Sequence, residues 1–154
     1  MADDLVEIVR AGDGDVPAIT ALVRAAYEGY VPRMGVLPKP MTLDYADVVR
    51  TRMAWVVRRD GDVAAVLVLE PHEDHLLLEN IAVAPNAQRT GIGDRLMRFA
   101  EEQARALGLP EIRLFTNAAM VENLGYYGRR GYRETHRETV DGRHRVFLTK
   151  RLPV

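Results

Sequence analysis

The sequence predicts an α+β fold, in which helices flank a mixed and largely antiparallel sheet. Two short segments rich in Asp and Gly, residues 60–62 and 141–142, each separate two strand-like runs, which is typical of β-hairpins. The run Leu76–Val83, LLLENIAV, is almost continuously apolar and therefore predicts a central strand. From Ile92 onward, apolar residues recur at helical spacing, so a helix is expected to cross over to the next strand.

The remaining elements follow from local patterns. The strands are recognised by alternating or continuous apolar residues, and the first helix has Pro17 in its first turn. Gly108 stands where a helix C-cap is expected. In chain order, the sequence predicts a strand Leu5–Arg10, a cap Asp13–Asp15, a helix from Pro17 to about Tyr30, a loop over 31–41, a short helix capped by Thr42 that ends near Arg52, strands Trp55–Arg59, Val63–Glu70 and Leu76–Val83, a helix from Ile92 to Gly108, a strand Glu111–Thr116, a helix Asn123–Arg130 and two final strands.

Composition predicts one domain over residues 1–154 and excludes several classes of function. Apolar residues make up 47% and charged residues 28% of the chain, which is ordinary for a soluble globular protein. The net charge is −1, so no basic field attracts nucleic acid or an anionic membrane. The N-terminus is acidic, and no apolar run approaches the roughly 18 residues of a membrane span, so we expect a cytoplasmic protein.

Two further features of the composition limit the chemistry. The chain has no cysteine, which excludes disulfides, thiolate metal sites and a cysteine-linked covalent intermediate. The histidines lie at positions 72, 75, 136 and 144. No pair of them has the spacing of a helical metal motif, and no carboxylate cluster completes a metal site, so we expect no metal cofactor.

Residues 84–97, APNAQRTGIGDRLM, predict a loop with two glycines between a strand and a helix. Such a loop presents unpaired backbone N–H groups and the positive end of the helix dipole to an anion. A P-loop is excluded because Gly93 is followed by Asp94 and Arg95. A dinucleotide fingerprint is excluded because Leu96 occupies the third glycine position. From these residues alone, a phosphate site and a simple glycine turn both stay open.

The glycine loop resembles a known family motif. Residues 88–93, QRTGIG, resemble the Q/R-x-x-G-x-G/A signature of the GNAT superfamily of N-acetyltransferases, whose loop amides bind the pyrophosphate of acetyl-coenzyme A (acetyl-CoA). Residues 81–85, IAVAP, are similar to the strand end before that signature, and residues 114–132, LFTNAAMVENLGYYGRRGY, resemble the family's second block. The resemblance implies a bacterial-type GNAT domain whose central strands 4 and 5 splay to admit the coenzyme. It also implies acetyl-CoA as co-substrate and direct transfer of acetyl to a primary amine in a ternary complex.

The resemblance assigns roles to individual residues. It implies that the Ile81 N–H stabilises the oxyanion, and that Val83 and its neighbours pair with the pantetheine arm. Tyr127, four residues before Gly131 and Tyr132, matches the family's acid for the leaving thiolate, with aromatic packing as the alternative. The implied coenzyme contacts are Ile81, Ala82, Val83, Gln88, Arg89, Thr90, Gly91, Ile92, Gly93, Asp94, Asn117, Asn123 and Tyr127.

Glu79 is the candidate base. It lies two residues before Ile81 and is therefore expected on the same face of the strand. A carboxylate in so apolar a strand is unusual unless it is paired or functional. Some family members carry their acidic residue two positions earlier, where this chain has Leu77, so His75 or a water chain stays an alternative base. Glu79 is equally suited to bind the substrate's ammonium group or to form a structural ion pair with an arginine.

The second block departs from the common family pattern. The usual asparagine position, seven residues before Tyr127, holds Met120, and the usual small residue four before it is Asn123. Because a subset of bacterial members shares this layout, the coenzyme contact is carried to Asn123. Asn117 is a second candidate, for which a turn or helix cap is the alternative.

The acceptor is expected beside the first two helices. There Tyr27 and Tyr30, with Glu79 beneath them, suit a small amine, and core packing is the alternative for Tyr27. Two other functions stay open. Acetylation of a protein lysine or N-terminal amine would be favoured by an open groove around residues 30–42, and a non-catalytic acyl-CoA-binding regulatory domain is the other. The resemblance also allows a homodimer through Trp55 and the last hairpin.

Overall fold

The computed structural model describes residues 6–153, in which one seven-stranded sheet carries helices on both faces. Leu5, the first residue of the predicted N-terminal strand, lies outside the described residues. The strands are β1 (Glu7–Arg10), β2 (Met53–Arg59), β3 (Asp62–Pro71), β4 (Leu76–Val83), β5 (Glu111–Asn117), β6 (Arg133–Val140) and β7 (Arg143–Arg151). The helices are α1 (Val16–Tyr27), α2 (Val31–Met34), α3 (Tyr45–Thr51), α4 (Ile92–Ala106) and α5 (Val121–Arg129), with short 3₁₀ turns before α1, α2, α3 and α4.

The strand order is β1-β2-β3-β4-β5-β7-β6. Every neighbouring pair is antiparallel except β4 and β5, which are parallel and are joined by the crossover helix α4. The mixed, largely antiparallel sheet with flanking helices is therefore confirmed. β4 lies at its centre, as the apolar run of that strand predicted.

The sheet separates two hydrophobic clusters. On one face, α4 and α5 bury apolar side chains such as Leu96 and Tyr127 against β3, β4, β5 and β7. On the other face, α1 and α3 bury Ile19 and Tyr45 against β2, β3 and β4. Each helix therefore packs its apolar stripe against the face of the sheet that it covers. Trp55 packs edge-on against Phe99, with 4.8 Å between ring centroids, within the first of these clusters.

Both predicted hairpins are present. Asp60 and Gly61 adopt φ of 53° and 84°, and Asp141 and Gly142 adopt φ of 52° and 75°. Two consecutive positive values of φ are required by the two-residue turns whose twist matches paired antiparallel strands. The Asp-Gly sequences therefore determine where β2 turns into β3 and where β6 turns into β7.

Two local predictions were wrong. Helix α3 is capped by Asp44, whose side chain accepts a hydrogen bond from Ala46 N at 3.0 Å, whereas the Thr42 hydroxyl donates to the Lys39 carbonyl. Part of the predicted loop over 31–41 is the one-turn helix α2, which has proline in its first turn and is followed by the cap residue Gly35 with φ of 73°. Proline at the start of a helix and glycine just past its end are themselves helix signals. Residues 31–41 therefore carried signals for a loop and for a short helix.

The parallel pair β4–β5 is short. Leu76 pairs with Ile112 and Leu77 with Arg113, and the two strands then diverge. β4 continues along β3 as far as Val83, while β5 continues along β7 as far as Asn117. The strands predicted to splay therefore do so, and a wedge-shaped gap opens at the centre of the sheet.

Candidate active site

A β-bulge lies in β4 where the gap opens. Val68 of β3 pairs with Asn80, but its neighbour Leu69 pairs with Leu78, so Glu79 has no partner across the ladder. The bulge interrupts the alternation of side chains. Leu78 and Ile81 both pack in the α4–α5 cluster, although they are three residues apart. The prediction that Glu79 and Ile81 share a face by simple alternation is therefore wrong.

The backbone of β4 beyond the bulge offers two N–H groups to the gap. Ala84 N donates to Ala64 O of β3 at 2.8 Å. Antiparallel ladders alternate between hydrogen-bonded and non-hydrogen-bonded pairs, so the N–H and C=O of Ala82 also point to β3. Those of Ile81 and Val83 point to the opposite side, into the gap between β4 and β5. The N–H groups of Ile81 and Val83 are therefore directed into the gap, on the side where the coenzyme was expected.

Ala82 was predicted to contact the coenzyme, but it does not face the gap. It pairs with Val66 across the ladder, and its methyl group is 4% exposed in the α1–α3 cluster. Its backbone and side chain are therefore both occupied within the fold. The reason is the period of two along a strand, which alternates the available N–H groups.

Tyr127 on α5 lines the same cleft as Ile81. Its side chain is 8% exposed, and its hydroxyl makes no hydrogen bond to any residue between 6 and 153. The ring packs edge-on against Tyr126 and Tyr132, with centroid distances of 5.4 and 5.8 Å. Burial raises the pKa of the Tyr127 hydroxyl to about 12, so the phenol stays protonated at neutral pH. The Tyr127 hydroxyl is therefore a proton donor without a partner among the described residues.

Asn80 is a cleft residue that the sequence reasoning missed. Its side chain is 2% exposed, its Oδ1 accepts from the Tyr27 hydroxyl at 2.9 Å, and its Nδ2 donates to the Tyr45 hydroxyl at 3.1 Å. The Tyr45 hydroxyl in turn donates to the Pro40 carbonyl at 2.6 Å. This network joins α1, α3 and the loop before α3 to the strand just after the bulge. An asparagine inside an apolar strand was the available signal.

Glu79 forms the ion pair that was one of its predicted alternatives. Its side chain is 7% exposed, and Oε2 accepts from Arg52 Nε at 3.1 Å. Arg52 also lies 3.1 Å from Glu70, which is more exposed. Glu79 Oε1 makes no hydrogen bond within residues 6–153, and the side chain lines the cleft. One carboxylate oxygen is therefore held by the protein, and the other is available to a ligand.

His75, the alternative base, lies elsewhere. It directly precedes the paired, closed end of β4 and β5, where its Nδ1 is 2.7 Å from Asp74 and its ring stacks on His72. It does not line the cleft. The structure does not bring His75 together with Tyr127 and Ile81.

The glycine loop leads directly into α4. Arg89 and Gly91 adopt positive φ of 64° and 89°, and the first helical hydrogen bond runs from Arg95 N to Gly91 O. The N–H groups of residues 92–94 therefore have no helical acceptor, and no side chain caps the helix. Unpaired amides at the start of a 15-residue helix form an arrangement suited to an anion.

The side chains of this loop are largely engaged with the fold. The Thr90 hydroxyl donates to the Ala87 carbonyl at 2.5 Å, and Gln88 Nε2 lies 3.4 Å from the Val83 carbonyl. Asp94 Oδ1 accepts from Tyr126 at 3.0 Å and from Arg130, whose guanidinium lowers the pKa of Asp94. The predicted contacts of these residues therefore depend on their backbone N–H groups.

The two candidate asparagines differ. Asn117 Oδ1 accepts from Ala119 N at 2.9 Å, so its carbonyl forms the turn that was the predicted alternative. Asn123 Nδ2 faces Thr116 Oγ1 at 3.4 Å. Both side chains line the cleft.

The cleft runs from Ile81 and Tyr127 to the loop before α3 and the start of β7. Tyr27 lines it, as predicted for the acceptor site. Tyr30 does not, because its ring lies beneath the Arg33 guanidinium, 5.0 Å from the ring centroid. Arg33 also pairs with Glu122 of α5 at 2.7 Å and holds the pKa of that carboxyl near about 2.

Within residues 6–153, no group of three or more His, Cys, Asp or Glu side chains is arranged to hold a metal ion. No helix in this part of the chain is long and apolar enough to cross a membrane.

The acetyltransferase (GNAT) family profile matches residues 18–132. Among curated proteins, human "Probable N-acetyltransferase 14" is 34% identical over 126 residues, which cover 71% of this chain and 57% of that protein. The corresponding protein of Xenopus tropicalis is 31% identical over 87 residues, covering 54% of this chain and 42% of the relative. The chain thus spans about half the length of the curated relatives it matches.

Solved structures have the same fold at low sequence identity. The PaiA N-acetyltransferase of Thermoplasma acidophilum, in complex with coenzyme A, has a TM-score of 0.79 at 15% identity, with 96% of this chain and 99% of that chain covered. The Escherichia coli ribosomal-protein-S18-alanine N-acetyltransferase has a TM-score of 0.73 at 19% identity, with 97% and 95% covered. Because the family profile spans most of the chain and the fold agrees with these enzymes, the chain belongs to the acetyltransferase (GNAT) family.

Proposed function

We propose that the chain is a single-domain, acetyl-CoA-dependent N-acetyltransferase that acetylates the primary amine of a small molecule. One observation carries the proposal. Beyond the point where β4 and β5 diverge, the Ile81 N–H group and the Tyr127 hydroxyl border one cleft, and neither has a partner within residues 6–153. Acyl transfer from a thioester to an amine requires an oxyanion donor and a proton donor for the leaving thiolate in such proximity.

The residues present fit the coenzyme. The free amides of residues 92–94 at the start of α4 suit a pyrophosphate. The free N–H of Val83, on the edge of β4 that faces the gap, suits an amide group of a pantetheine arm, which would add to the sheet as an extra strand. Asn123, which lines the cleft, supplies a side-chain amide. When bound, the coenzyme supplies the acetyl thioester.

In the proposed reaction, the amine nitrogen bonds to the acetyl carbon and the carbon–sulfur bond breaks. Glu79 Oε1 accepts a hydrogen bond and then a proton from the amine, directly or through water. The Ile81 N–H donates to the carbonyl oxygen as negative charge develops on it, an interaction typically worth about 10²–10³ in rate. Tyr127 donates its proton to the departing sulfur, so charge and protons balance.

The contacts at the rim of the cleft favour a small molecule over a protein as the acceptor. Arg143 Nε of β7 donates to the Leu37 carbonyl at 2.9 Å, which ties the loop before α3 to the last hairpin. Arg33 donates to the Ala119 carbonyl and pairs with Glu122, which ties α2 to α5. These contacts enclose the segment around residues 30–42, whereas a polypeptide acceptor requires an open groove. Glu79 and Tyr127 in one cleft also support catalysis over binding alone.

The first test is calorimetric titration with acetyl-CoA of the wild type, Gly93→Glu, Gly93→Gln and Gly128→Glu. Gly93 has ordinary helical φ and space for a Cβ, which would lie 3.4 Å from the Tyr126 hydroxyl. A glutamate in the first turn favours α4 itself but repels a pyrophosphate. Gly128 lies in α5 with nothing within 4 Å of an added Cβ, so its variant controls for the added charge.

We expect micromolar binding to the wild type and to Gly128→Glu, weaker binding to Gly93→Gln, and the weakest binding to Gly93→Glu. Raising the salt concentration should reduce the difference between the two Gly93 variants, because it screens the repulsion. A folded wild type that does not bind acetyl-CoA would contradict the proposed function. Equal binding by all four proteins would place the pyrophosphate away from this loop.

A further inference from the structure

Three cations line the end of the cleft that lies away from the glycine loop. Lys39 lies in the loop before α3, and Arg143 and Arg145 lie at the start of β7. None of the three pairs with a carboxylate in the part of the chain that the structure describes. The acidic residue that lines the cleft is Glu79, and its charge is compensated by Arg52. This end of the cleft therefore carries an excess of positive charge.

Arg145 has a buried donor without an acceptor. Its Nε is buried and makes no hydrogen bond within residues 6–153. Its guanidinium lies over the Phe115 ring, 4.5 Å from the centroid, which fixes its position in the cleft. An unsatisfied buried donor costs free energy in the folded protein, and an anionic ligand would relieve that cost. Arginine presents a planar fork that matches a carboxylate.

Lys39 is positioned near the same ring. Its Nζ lies 5.5 Å from the Phe115 centroid, so two cations of different type border one aromatic side chain. Arg143 Nε is used in the bond to the Leu37 carbonyl, but its terminal nitrogens make no hydrogen bond to residues 6–153. Between these cations and Ile81 the cleft wall is mainly apolar, with Met34, Leu43 and Phe115 among its residues.

We propose that the acceptor is an amine that also carries a carboxylate and an apolar side chain. Its carboxylate binds Arg145 and Lys39 at the cationic end, and its amine lies at Glu79 and Ile81. This inference rests on the proposed acetyltransferase function and adds the class of substrate. An apolar amino acid such as leucine or phenylalanine has the required combination of groups.

The test compares matched acceptors. Leucine, leucinamide and 3-methylbutylamine share a side chain but only the first carries a carboxylate; phenylalanine, its amide and 2-phenylethylamine form a second set. Release of coenzyme A is followed with a thiol reagent, to which this cysteine-free chain contributes no background. The kcat/KM for each acceptor is measured for the wild type, Arg145→Gln, Lys39→Gln and Arg151→Gln. Arg151 lies on the same strand, its side chain is 82% exposed and it does not line the cleft.

We expect Arg145→Gln to lower kcat/KM for the amino acids by about 10- to 100-fold, mainly through KM, because a charge-assisted hydrogen bond is lost. The values for the matched amides and amines should change far less than those for the amino acids, and Lys39→Gln should show a smaller effect of the same kind. Arg151→Gln should match the wild type. Thermal unfolding of each variant controls for loss of the fold.

Two results would overturn this inference while the acetyltransferase function stands. The first is turnover of the neutral amines with no binding or turnover of any amino acid in the presence of acetyl-CoA. The second is an Arg145→Gln variant that affects charged and neutral acceptors equally. A folded wild type that neither binds acetyl-CoA nor releases thiol with any acceptor would instead contradict the function on which the inference rests.

Discussion

The Tyr27 hydroxyl shares its hydrogen between the Ile81 main-chain carbonyl, 3.1 Å away, and Asn80 Oδ1, 2.9 Å away. A residue of α1 therefore holds the segment of β4 that follows the bulge. The N–H of Ile81 belongs to this same segment. Tyr27 was expected either to bind the acceptor or to pack in the core, and its geometry suggests a third role, the positioning of the oxyanion donor.

We predict that Tyr27→Phe lowers kcat about 10-fold, because a small displacement of a catalytic donor is costly, while coenzyme binding is unchanged. Tyr45→Phe is the matched control, since it also removes a hydroxyl bound to Asn80 but does not contact Ile81. Both variants should lose about 1 kcal/mol of unfolding free energy. Steady-state kinetics and denaturant unfolding check the prediction. Equal losses of kcat in the two variants would show that stability alone, and not the position of Ile81, is affected.

For Tyr127, we predict that replacement by Phe lowers kcat about 10²–10⁴-fold through loss of the general acid and spares coenzyme affinity. Tyr132→Phe is the control, because it removes a nearby buried hydroxyl that makes no hydrogen bond within residues 6–153. Since burial raises the pKa of Tyr127 to about 12, its ionisation should cause no decline in kcat between neutral pH and about pH 10. A pH–rate profile for the wild type measures this directly.

Tyr126 provides a second test of the assignment of Tyr127 as the acid. Its hydroxyl donates to Asp94 in the first turn of α4 at 3.0 Å, so Tyr126→Phe should weaken binding of the coenzyme more than it lowers kcat. Calorimetry and kinetics on the same preparation separate the two effects. If Tyr126→Phe lowers kcat and Tyr127→Phe does not, the acid has been assigned to the wrong residue.

Glu79→Gln should lower kcat/KM about 10²-fold, because it removes the proposed base. Glu70→Gln is a close control, since Glu70 lies at the same 3.1 Å from Arg52 but does not line the cleft. An effect of similar size in both variants would support a purely structural ion pair. In that case solvent, and not Glu79, would accept the amine proton.

Asp15 provides a stability prediction away from the cleft. Arg58 donates to both of its oxygens at 3.0 and 3.1 Å and Gly12 N donates at 2.8 Å, and these bonds lower the pKa of Asp15 below its usual value of 3.8. A lowered folded-state pKa gives stability that is present above that usual value and is lost as the pH falls through the folded-state pKa.

Asp15→Asn should therefore lower the free energy of unfolding at pH 7 by about 1 kcal/mol, a modest amount because the Arg58 side chain is more than a third exposed. The variant should also show a weaker dependence of unfolding free energy on pH below about pH 4. Asp13→Asn, in the same turn but exposed, should behave as the wild type. Denaturant unfolding at several pH values tests this, and parallel pH curves for Asp15→Asn and the wild type would contradict it.

The sequence by itself determined the elements and their order, because their signals are local. The Asp-Gly turns, the apolar run of β4, the glycine loop and the stripe of α4 each lie within about 15 consecutive residues, the length over which period and turn chemistry act. These signals were sufficient for the fold class and for the family resemblance.

The tertiary structure alone decided how the side chains meet. Tyr27 and Asn80 are 53 positions apart, and Glu79 and its partner Arg52 are 27 apart. The bulge at Glu79 changed which neighbours share a face, and the convergence of Lys39 and Arg145 on Phe115 joins three separate segments. Ion pairs, buried amide networks and clusters of cations form wherever packing brings distant segments together, and no periodicity along the chain encodes that proximity.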